Sequence, residues 1–269
     1  MPTIQEQFFD IGANLTHESF EADLDDVISK AQESGVNRFS ITGSSLNESI
    51  SAIEIAKKFP NSCISTAGIH PHNAKEYSPS SFSEIRDLLE EDVVKSIGET
   101  GLDFYRNFSA AKQQELSFEA HLELAIETRY PLFLHERDAH KRFIEIISPY
   151  KEDLPKSVVH CFTGNKDALE KYIEMGFYIG ITGWLCDERR GKHLIDLIPI
   201  IPLDKLMIET DCPYLLPRDM GIDNSTRNEP QFLKHIAGKI AEIRPESKEL
   251  LFSAIYMNSL DFFDVSFQE

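Results

Sequence analysis

The segment FLHERDAH, residues 133–140, decides the fold because it joins a buried strand to a charged loop. Phe133 and Leu134 continue an apolar run that begins at Pro131, and four polar or charged residues follow, from His135 to Asp138. A buried strand normally passes into a turn of glycine, asparagine or serine. Four polar groups in succession therefore indicate a role for this strand end that solvation alone does not require.

Short apolar segments alternate with longer amphipathic ones along the chain. We predict eight strands, at residues 8–12, 38–43, 63–69, 93–98, 131–135, 157–162, 177–181 and 205–210. The segments between them, such as 23–35 and 110–129, place apolar residues at helical spacing and charged residues on the opposite face. Strands that are apolar on both faces and alternate with helices are typical of a parallel sheet covered by helices.

A closed barrel is the most economical arrangement of eight such units. The chain has 269 residues, and (β/α)8 barrels of about 250 residues form one domain. An open doubly wound sheet is the alternative, but it would need a glycine-rich turn after the first strand, where DIGANLT has a single glycine. We therefore predict an α/β fold of the (β/α)8 TIM-barrel type, with residues 1–269 in a single domain.

Local signals predict where some helices begin and end. Gly35 is placed to end the first helix. Asn228 is a candidate N-cap with Pro230 in the first turn of a final helical layer that includes residues 232–243. Asp138 is a candidate cap for the helix after the fifth strand.

Composition limits the classes of function. The net charge of −18 opposes nucleic-acid binding, because phosphate contacts need lysine or arginine, but a bound cation can reverse the local sign. The chain has no apolar run of about 20 residues, and its N-terminus lacks the features of a signal or transit peptide. We expect a cytoplasmic protein with no membrane partner. The four cysteines form no CxxC pair, which argues against a disulfide framework and against a thiolate zinc site.

Polar residues recur at the predicted strand ends, where TIM barrels carry their functional groups. They are Asn14, His70, His72, Glu99, His135, His160 and Asp211. A single histidine or carboxylate at such a position is more often a structural residue, a cap or a partner of the helix dipole. Their repetition at several strand ends favours a metal site.

The types of side chain narrow the chemistry of that site. Two carboxylates with two or three imidazoles and no thiolate suit zinc, manganese or magnesium. A carboxylate such as Glu99 can bridge two ions about 3.5 to 4 Å apart. Such a pair of ions binds both the attacking and the leaving oxygen when a phosphoryl group is transferred. Asp211 can instead accept a proton from water. On this interpretation His135 is a metal ligand, and Arg137 is placed to contact an anionic substrate.

Seven segments together resemble the signature segments of the TatD family of metal-dependent deoxyribonucleases, in the same order and spacing. They are GIHPH, IGETGLD, HERDAH, HCFTG, YIGITGW, ETDCPYLLPR and RNEP. The similarity runs from DIGANLT to the final helices and so covers nearly the whole chain. NFSAAKQQ and WLCDERRG most resemble the branch that includes TatD itself.

This resemblance implies a barrel of the metallo-dependent hydrolase type with one or two divalent ions. Mg²⁺ is favoured, with Mn²⁺ or Zn²⁺ as alternatives. For that branch it implies 3′–5′ exonuclease action on the ends of single-stranded DNA or RNA, and we expect a monomer. The implied metal ligands are Glu99, His135, His160 and Asp211, of which Glu99 and Asp211 are catalytic. Substrate-binding candidates are His70, His72, Arg137 and Asn14.

One departure from the family pattern concerns the first strand. The wider family has His-x-His at its end, where this chain has Gly12, Ala13 and Asn14. We therefore expect an incomplete two-ion site, with one ion held loosely.

Some loop residues have two interpretations. Arg189 and Arg190 are candidates for phosphate binding or parts of a solvated helix start. Phe104, Tyr105 and Trp184 either stack unpaired bases or pack the loops onto the barrel rim.

Two other functions remain open from the sequence. A metal-dependent amidohydrolase or lactonase could use the same fold on a small carbonyl substrate, although such barrels usually have the strand-one His-x-His. A scaffold without catalysis could bind partners through the barrel mouth, but it would not need four convergent ligands. Metal-dependent turnover separates the enzymes from the scaffold.

Overall fold

A computed structural model describes residues 6–265 of the protein. In this part of the chain, eight parallel strands form one sheet in which neighbours follow chain order. The strands are β1 (Phe8–Ala13), β2 (Val36–Ile41), β3 (Cys63–Ala67), β4 (Val94–Asp103), β5 (Leu132–Arg137), β6 (Ser157–Val159), β7 (Tyr178–Ile181) and β8 (Leu206–Ile208).

A helix follows each strand on the outside of the sheet. The α-helices are α1 (Leu24–Glu33), α2 (Leu46–Lys58), α3 (Pro79–Leu88), α4 (Ala111–Thr128), α5 (His140–Ile147), α6 (Lys166–Glu174), α7 (Lys192–Leu197), α8 (Leu233–Ile243) and α9 (Lys248–Phe263). Their apolar faces point to the sheet, as in α5, where Phe143, Ile146 and Ile147 are buried. The predicted alternation of strands and helices is confirmed.

The first and last strands of the sheet meet at their carboxyl ends, which nearly closes the barrel. The amide of Asp211 donates to the carbonyl of Gly12 at 2.9 Å, and the amide of Asn14 donates to the carbonyl of Cys212 at 3.0 Å. These bonds join the end of β1 to the segment just after β8. The predicted TIM barrel is therefore confirmed.

Three strands, β4, β6 and β8, differ in length from the prediction by three residues or more, and the others have ends within two residues of the predicted ones. β4 continues to Asp103 because it stays paired with β5 as far as Arg137. The chain beyond β6 and β8 turns at Cys161 and Asp211, which have positive φ values of 45° and 54°. A left-handed residue interrupts the extended backbone, so these two strands end before the polar residues that follow them.

Apolar side chains fill the part of the barrel formed by the N-terminal halves of the strands. Phe9 and Ile11 of β1 point inward and belong to a cluster with Phe262 and Phe263 of α9. The rings of Phe9 and Phe263 stack with their centroids 5.4 Å apart. Because this cluster uses the N-terminal halves of the strands, the carboxyl ends are left for polar groups.

The predicted helix boundaries have mixed outcomes. Gly35 does end α1 with a left-handed φ of 96°. The prediction that Asp138 caps the helix after the fifth strand is wrong. That helix, α5, begins after Ala139, whose amide donates to Glu136. Asn228 is not an N-cap either. Its side-chain amide donates to the carbonyls of Thr210 and Tyr214, and a 3₁₀-helix begins instead at Pro230.

Other sequence expectations concern cysteines and membranes. All four cysteines are free. Across residues 6–265, no helix has both the length and the apolar character that crossing a membrane requires. Residues 1–5 belong to the N-terminal segment on which the expectation of no targeting sequence rests, and they lie outside the described part.

Candidate active site at the carboxyl ends of the strands

Glu99 of β4 is the centre of a histidine cluster. Its Oε1 atom lies 2.7 Å from Nε2 of His160 and 2.8 Å from Nδ1 of His135. The Nε2 atom of His70 lies 3.1 Å from the same oxygen. These histidines come from three places, with His135 in β5 and the other two just after β3 and β6. Three imidazoles thus converge on one carboxylate oxygen.

Burial and charge have opposite effects on the protonation of this cluster. Burial would raise the pKa of Glu99, but the charge of His160 and the hydrogen bonds of the imidazoles outweigh it and hold that pKa well below its usual value. Burial would likewise lower the pKa of His160, yet Glu99 and Glu209 raise it well above the ordinary range. Glu99 and His160 therefore form an ionised pair. Burial lowers the pKa of His70 to about 4, so His70 is neutral near pH 7.

The donor set fits a divalent cation. His70, Glu99 and His135 offer ligand atoms that all lie within 4.8 Å of one another. The Nε2 atom of His135 is buried without a hydrogen-bond partner, although it lies 3.6 Å from Oδ2 of Asp103. A buried nitrogen without a partner is costly, and a cation beside it would remove that cost. Imidazoles with a carboxylate are ligands for zinc, manganese and related ions.

Asp211 faces the cluster from beyond β8. The side-chain amide of Asn14 donates to its Oδ1 at 2.9 Å. Among residues 6–265, no histidine forms an ion pair with Asp211 within 4.0 Å. Burial raises the pKa of Asp211 to about 7, even though His160 lowers it. A carboxylate that titrates near neutral pH is suited to accept a proton.

Glu209 is a functional candidate that the sequence analysis missed. It is fully buried, its Oε2 lies 3.3 Å from Nδ1 of His160, and its Oε1 accepts the amide hydrogen of Cys161. A carboxylate on the second nitrogen of a histidine fixes the orientation of the ring. Its position could have indicated it, since Glu209 lies at the end of the predicted eighth strand, two residues before the candidate Asp211.

The same carboxylate explains how the barrel accommodates the missing strand-one histidine. A Cβ atom added to Gly12 would overlap Oε2 of Glu209, and one added to Gly180 would lie 2.7 Å from Oε1. Glu209 therefore occupies the space next to Gly12. A histidine at position 12 would require Glu209 to move.

Asp103 is a second missed residue, four positions after Glu99 on the same strand. Its Oδ2 lies 2.7 Å from Nε2 of His72, and its Oδ1 accepts the amide hydrogens of Tyr105 and Arg106. Burial would raise the pKa of Asp103, but the nearby imidazoles of His135 and His72 outweigh it and lower that pKa. Asp103 thus connects His72 to the rest of the cluster.

Arg137 lies on the rim of the site between aromatic side chains. Its guanidinium carbon is 4.3 Å from the ring centroid of Tyr105 and 5.6 Å from that of Trp184. Arg190 lies 5.5 Å from the centroid of the Trp184 ring. Tyr105 is exposed, whereas Trp184 is half-buried.

Two of the loop residues that were candidates for substrate binding make other contacts. Arg189 is paired with Asp187 through two hydrogen bonds of 2.9 and 2.7 Å. Phe104 packs against the hydrophobic core. Packing onto the barrel rim therefore describes Phe104 better than base stacking.

The sequence matches the family model described as TatD related DNase over residues 9–264. The protein named 3′-5′ ssDNA/RNA exonuclease TatD from Salmonella typhimurium is 46% identical over 260 residues, which are 96% of this chain and 100% of the relative. The protein of the same name from Pantoea vagans is 49% identical over 256 residues, covering 95% of this chain and 98% of the relative.

Solved structures share the fold. A TatD family hydrolase from Entamoeba histolytica superposes with a TM-score of 0.85 at 29% identity, covering 96% of this chain and 98% of that one. A TatD homologue from Escherichia coli K12 superposes with a TM-score of 0.90 at 23% identity, covering 98% of this chain and 100% of that one.

Proposed function

The chain belongs to the family of TatD related DNases, and we propose that it is a divalent-metal-dependent nuclease that removes nucleotides from the 3′ ends of single-stranded DNA and RNA. The names of its relatives at 46% and 49% identity support that activity. The observation that carries the proposal is the convergence of three imidazoles on Glu99. This cluster lies at the end of the barrel where TIM-barrel enzymes have their active sites.

Glu99, His135 and His160 would hold the cation, and His70 lies close enough to Glu99 to join them. When bound, a divalent cation polarises a phosphate oxygen and activates water for attack. Mg²⁺ is the proposed ion because it combines protein carboxylates with substrate phosphates. Mn²⁺ and Zn²⁺ are the alternatives, since they bind imidazole more readily.

We propose that one ion is held firmly and that a second is at most held loosely. The strand-one histidines that would serve a second ion are replaced by Gly12 and Asn14. Glu209 occupies the space beside Gly12. A second ion would then depend on oxygens of the substrate phosphate.

Asp211 is the proposed general base and an additional ligand candidate. Its hydrogen bond from Asn14 fixes the orientation of its carboxylate. With a pKa raised to about 7 by burial, it can accept a proton from the attacking water at neutral pH. Asn14, predicted to contact substrate, would act at least in part by orienting Asp211.

His72 and Arg137 are the proposed phosphate contacts. His72 is 29% exposed and is oriented by Asp103. Arg137 presents its guanidinium on the rim, where it contacts Tyr105 and Trp184. Guanidinium groups bind phosphate with directed hydrogen bonds. His70 was predicted to contact phosphate as well, but its contact with Glu99 supports a place among the cation ligands.

An unpaired strand end is the proposed substrate. The net charge of −18 disfavours a long duplex, which would need many cationic contacts. Base stacking on Tyr105 or Trp184 does not depend on charge and tolerates any sequence. Binding should therefore be weak and sensitive to salt. All the proposed site residues come from one chain, so we propose a monomer with one domain over residues 1–269.

The test is hydrolysis of a single-stranded oligonucleotide labelled at its 5′ end, and of the same oligonucleotide labelled at its 3′ end. Each is incubated with EDTA, Mg²⁺, Mn²⁺ or Zn²⁺, with the wild type and with Glu99→Ala. We expect a descending ladder from the 5′-labelled strand and labelled mononucleotide from the 3′-labelled strand. Both should need the metal and Glu99.

The matched control is Glu54→Ala, which removes an exposed glutamate of α2 and should leave the ladder unchanged. Fragments released from the 5′ end, or internal cuts, would contradict the proposed direction. Failure to cleave with any metal would contradict the nuclease proposal, and ester and amide substrates would then be tested.

A further inference from the structure

A second cluster of metal-binding side chains lies outside the active site. It consists of Cys186 at the end of the 3₁₀-helix Gly183–Cys186, Asp219 of the 3₁₀-helix Arg218–Met220, and His235 of α8. Ligand atoms of these three residues lie within 4.8 Å of one another. The Nε2 atom of His235 is 2.6 Å from Oδ1 of Asp219. The nuclease proposal uses none of the three.

The cluster is reachable from solvent. Cys186 is buried, but the side chains of Asp219 and His235 are each about one-third exposed. They line an open groove of about 710 Å³ together with Lys234, Gly238, Lys239 and Glu242. A cation could enter through this groove to Asp219 and His235, whose ligand atoms lie within 4.8 Å of that of Cys186.

We propose that Cys186, Asp219 and His235 bind one Zn²⁺ ion, at a site separate from the active site. A thiolate, an imidazole and a carboxylate form a donor set that zinc accepts in tetrahedral geometry, with water as the fourth ligand. Mg²⁺ avoids thiolates and prefers oxygen ligands. The two sites of this protein would thus select different ions.

Nearby charges are compatible with a cation at this place. Lys239 lies 3.3 Å from Oδ2 of Asp219 and 3.4 Å from Oε2 of Glu242. Zinc bound through Oδ1 would leave the contact between Lys239 and Oδ2 in place. The other lysine of the groove, Lys234, is paired with Glu6 at 2.7 Å. Binding transfers the thiol proton of Cys186 to solvent, and any proton on Nε2 of His235 leaves in the same way.

The site has a consequence for the barrel rim. The 3₁₀-helix that ends in Cys186 also contains Trp184, whose ring contacts Arg137. It packs against α8 and against the 3₁₀-helix of Asp219. Zinc would connect all three elements and so fix the segment that positions Trp184.

Cobalt absorption and tryptophan fluorescence test this proposal independently of nuclease activity. Co²⁺ replaces Zn²⁺ in such sites, and its bond to a thiolate gives a near-ultraviolet charge-transfer band. Trp184 is the single tryptophan of the chain and lies two residues before Cys186. Its fluorescence emission therefore reports on changes around Cys186. We expect Co²⁺ to produce the band with a final intensity that corresponds to one thiolate site per chain, Zn²⁺ to abolish it, and Zn²⁺ alone to change the emission.

Three variants assign the ligands. Cys186→Ser should lose the band, and His235→Gln and Asp219→Asn should weaken Zn²⁺ binding by at least about tenfold. The last two change groove residues, so they test the site even if Cys186→Ser fails to fold. Cys161→Ser is the matched control, because Cys161 follows the active-site residue His160, and it should keep the band. A missing band in the wild type, or a band that needs Cys161 and not Cys186, would overturn the proposal.

Discussion

The Oε2 atom of Glu209 lies 3.3 Å from Nδ1 of His160, the ring nitrogen that does not face Glu99. A carboxylate at Nδ1 keeps a proton there and leaves Nε2 free to bind a cation. In Glu209→Gln the side-chain amide would donate to Nδ1 and favour a proton on Nε2. We predict that metal affinity falls by about 10- to 100-fold.

This prediction is checked by isothermal titration of the variant with Mn²⁺. Glu54→Gln serves as the control, since it makes the same change at an exposed site. An unchanged dissociation constant in Glu209→Gln would remove Glu209 from the proposed site.

Replacement of the proposed base should reduce turnover without disturbing the fold. We predict that Asp211→Asn lowers kcat by about 10²- to 10⁴-fold, with a smaller effect on KM. Below its raised pKa of about 7, Asp211 carries a proton and cannot accept another. The wild-type rate should therefore rise with pH up to about 7 and then level off, and the variant should lack this rise. Wild-type kcat in purified Asp211→Asn would refute the assignment.

Asp10 should make stability depend on pH. Its carboxyl is fully buried; Oδ1 accepts the amide hydrogen of Thr210 at 2.9 Å and Oδ2 lies 2.5 Å from the hydroxyl of Thr210. Burial raises the pKa of Asp10 from 3.8 to about 8, although the hydrogen bonds from Thr210 lower it. The folded state therefore keeps a proton that the unfolded chain loses above pH 4. The stabilisation from that proton is complete below pH 4 and is lost as pH rises to 8.

Asp10→Asn removes this titration and can keep both contacts with Thr210. We predict that the free energy of unfolding of the variant, relative to wild type, rises between pH 4 and pH 8 by up to about 1.4 kcal/mol per pH unit. Urea denaturation at several pH values measures the difference. Asp26→Asn, at an exposed position of α1, is the control. A constant difference across this range would contradict the raised pKa.

The contacts of Arg137 with two aromatic rings predict that its shape matters as well as its charge. Lysine keeps the charge but cannot stack a planar group on Tyr105 and Trp184. We predict that Arg137→Lys raises KM for a single-stranded oligonucleotide several-fold and changes kcat little. Steady-state kinetics at two salt concentrations measure this effect. Arg189→Lys is the matched control because Arg189 is already paired with Asp187, and an equal effect in both variants would contradict the role of stacking.

The fold was predictable because its signals are local. Alternation of apolar strands with amphipathic helices predicted all eight strands. The cluster around Glu99 contains His135 and His160, two of the predicted metal ligands. The capping prediction for Asn228 failed because its side-chain amide bonds the carbonyls of Thr210 and Tyr214, which a local pattern does not contain. The prediction for Asp138 failed for a local reason, since Glu136 accepts the amide hydrogen of Ala139. Glu209 and Asp103 were missed although they lie only two residues before Asp211 and four residues after Glu99.

The sequence by itself determined the order of the βα units and the presence of polar residues at the strand ends, because side-chain periodicity along a strand or helix depends only on near neighbours. The tertiary structure alone decided which of those residues meet. His70 reaches Glu99, Glu209 fills the space beside Gly12, and three distant segments bring Cys186 to His235. These distances follow from the closure of the barrel and the paths of its loops, which bring together residues far apart in the chain.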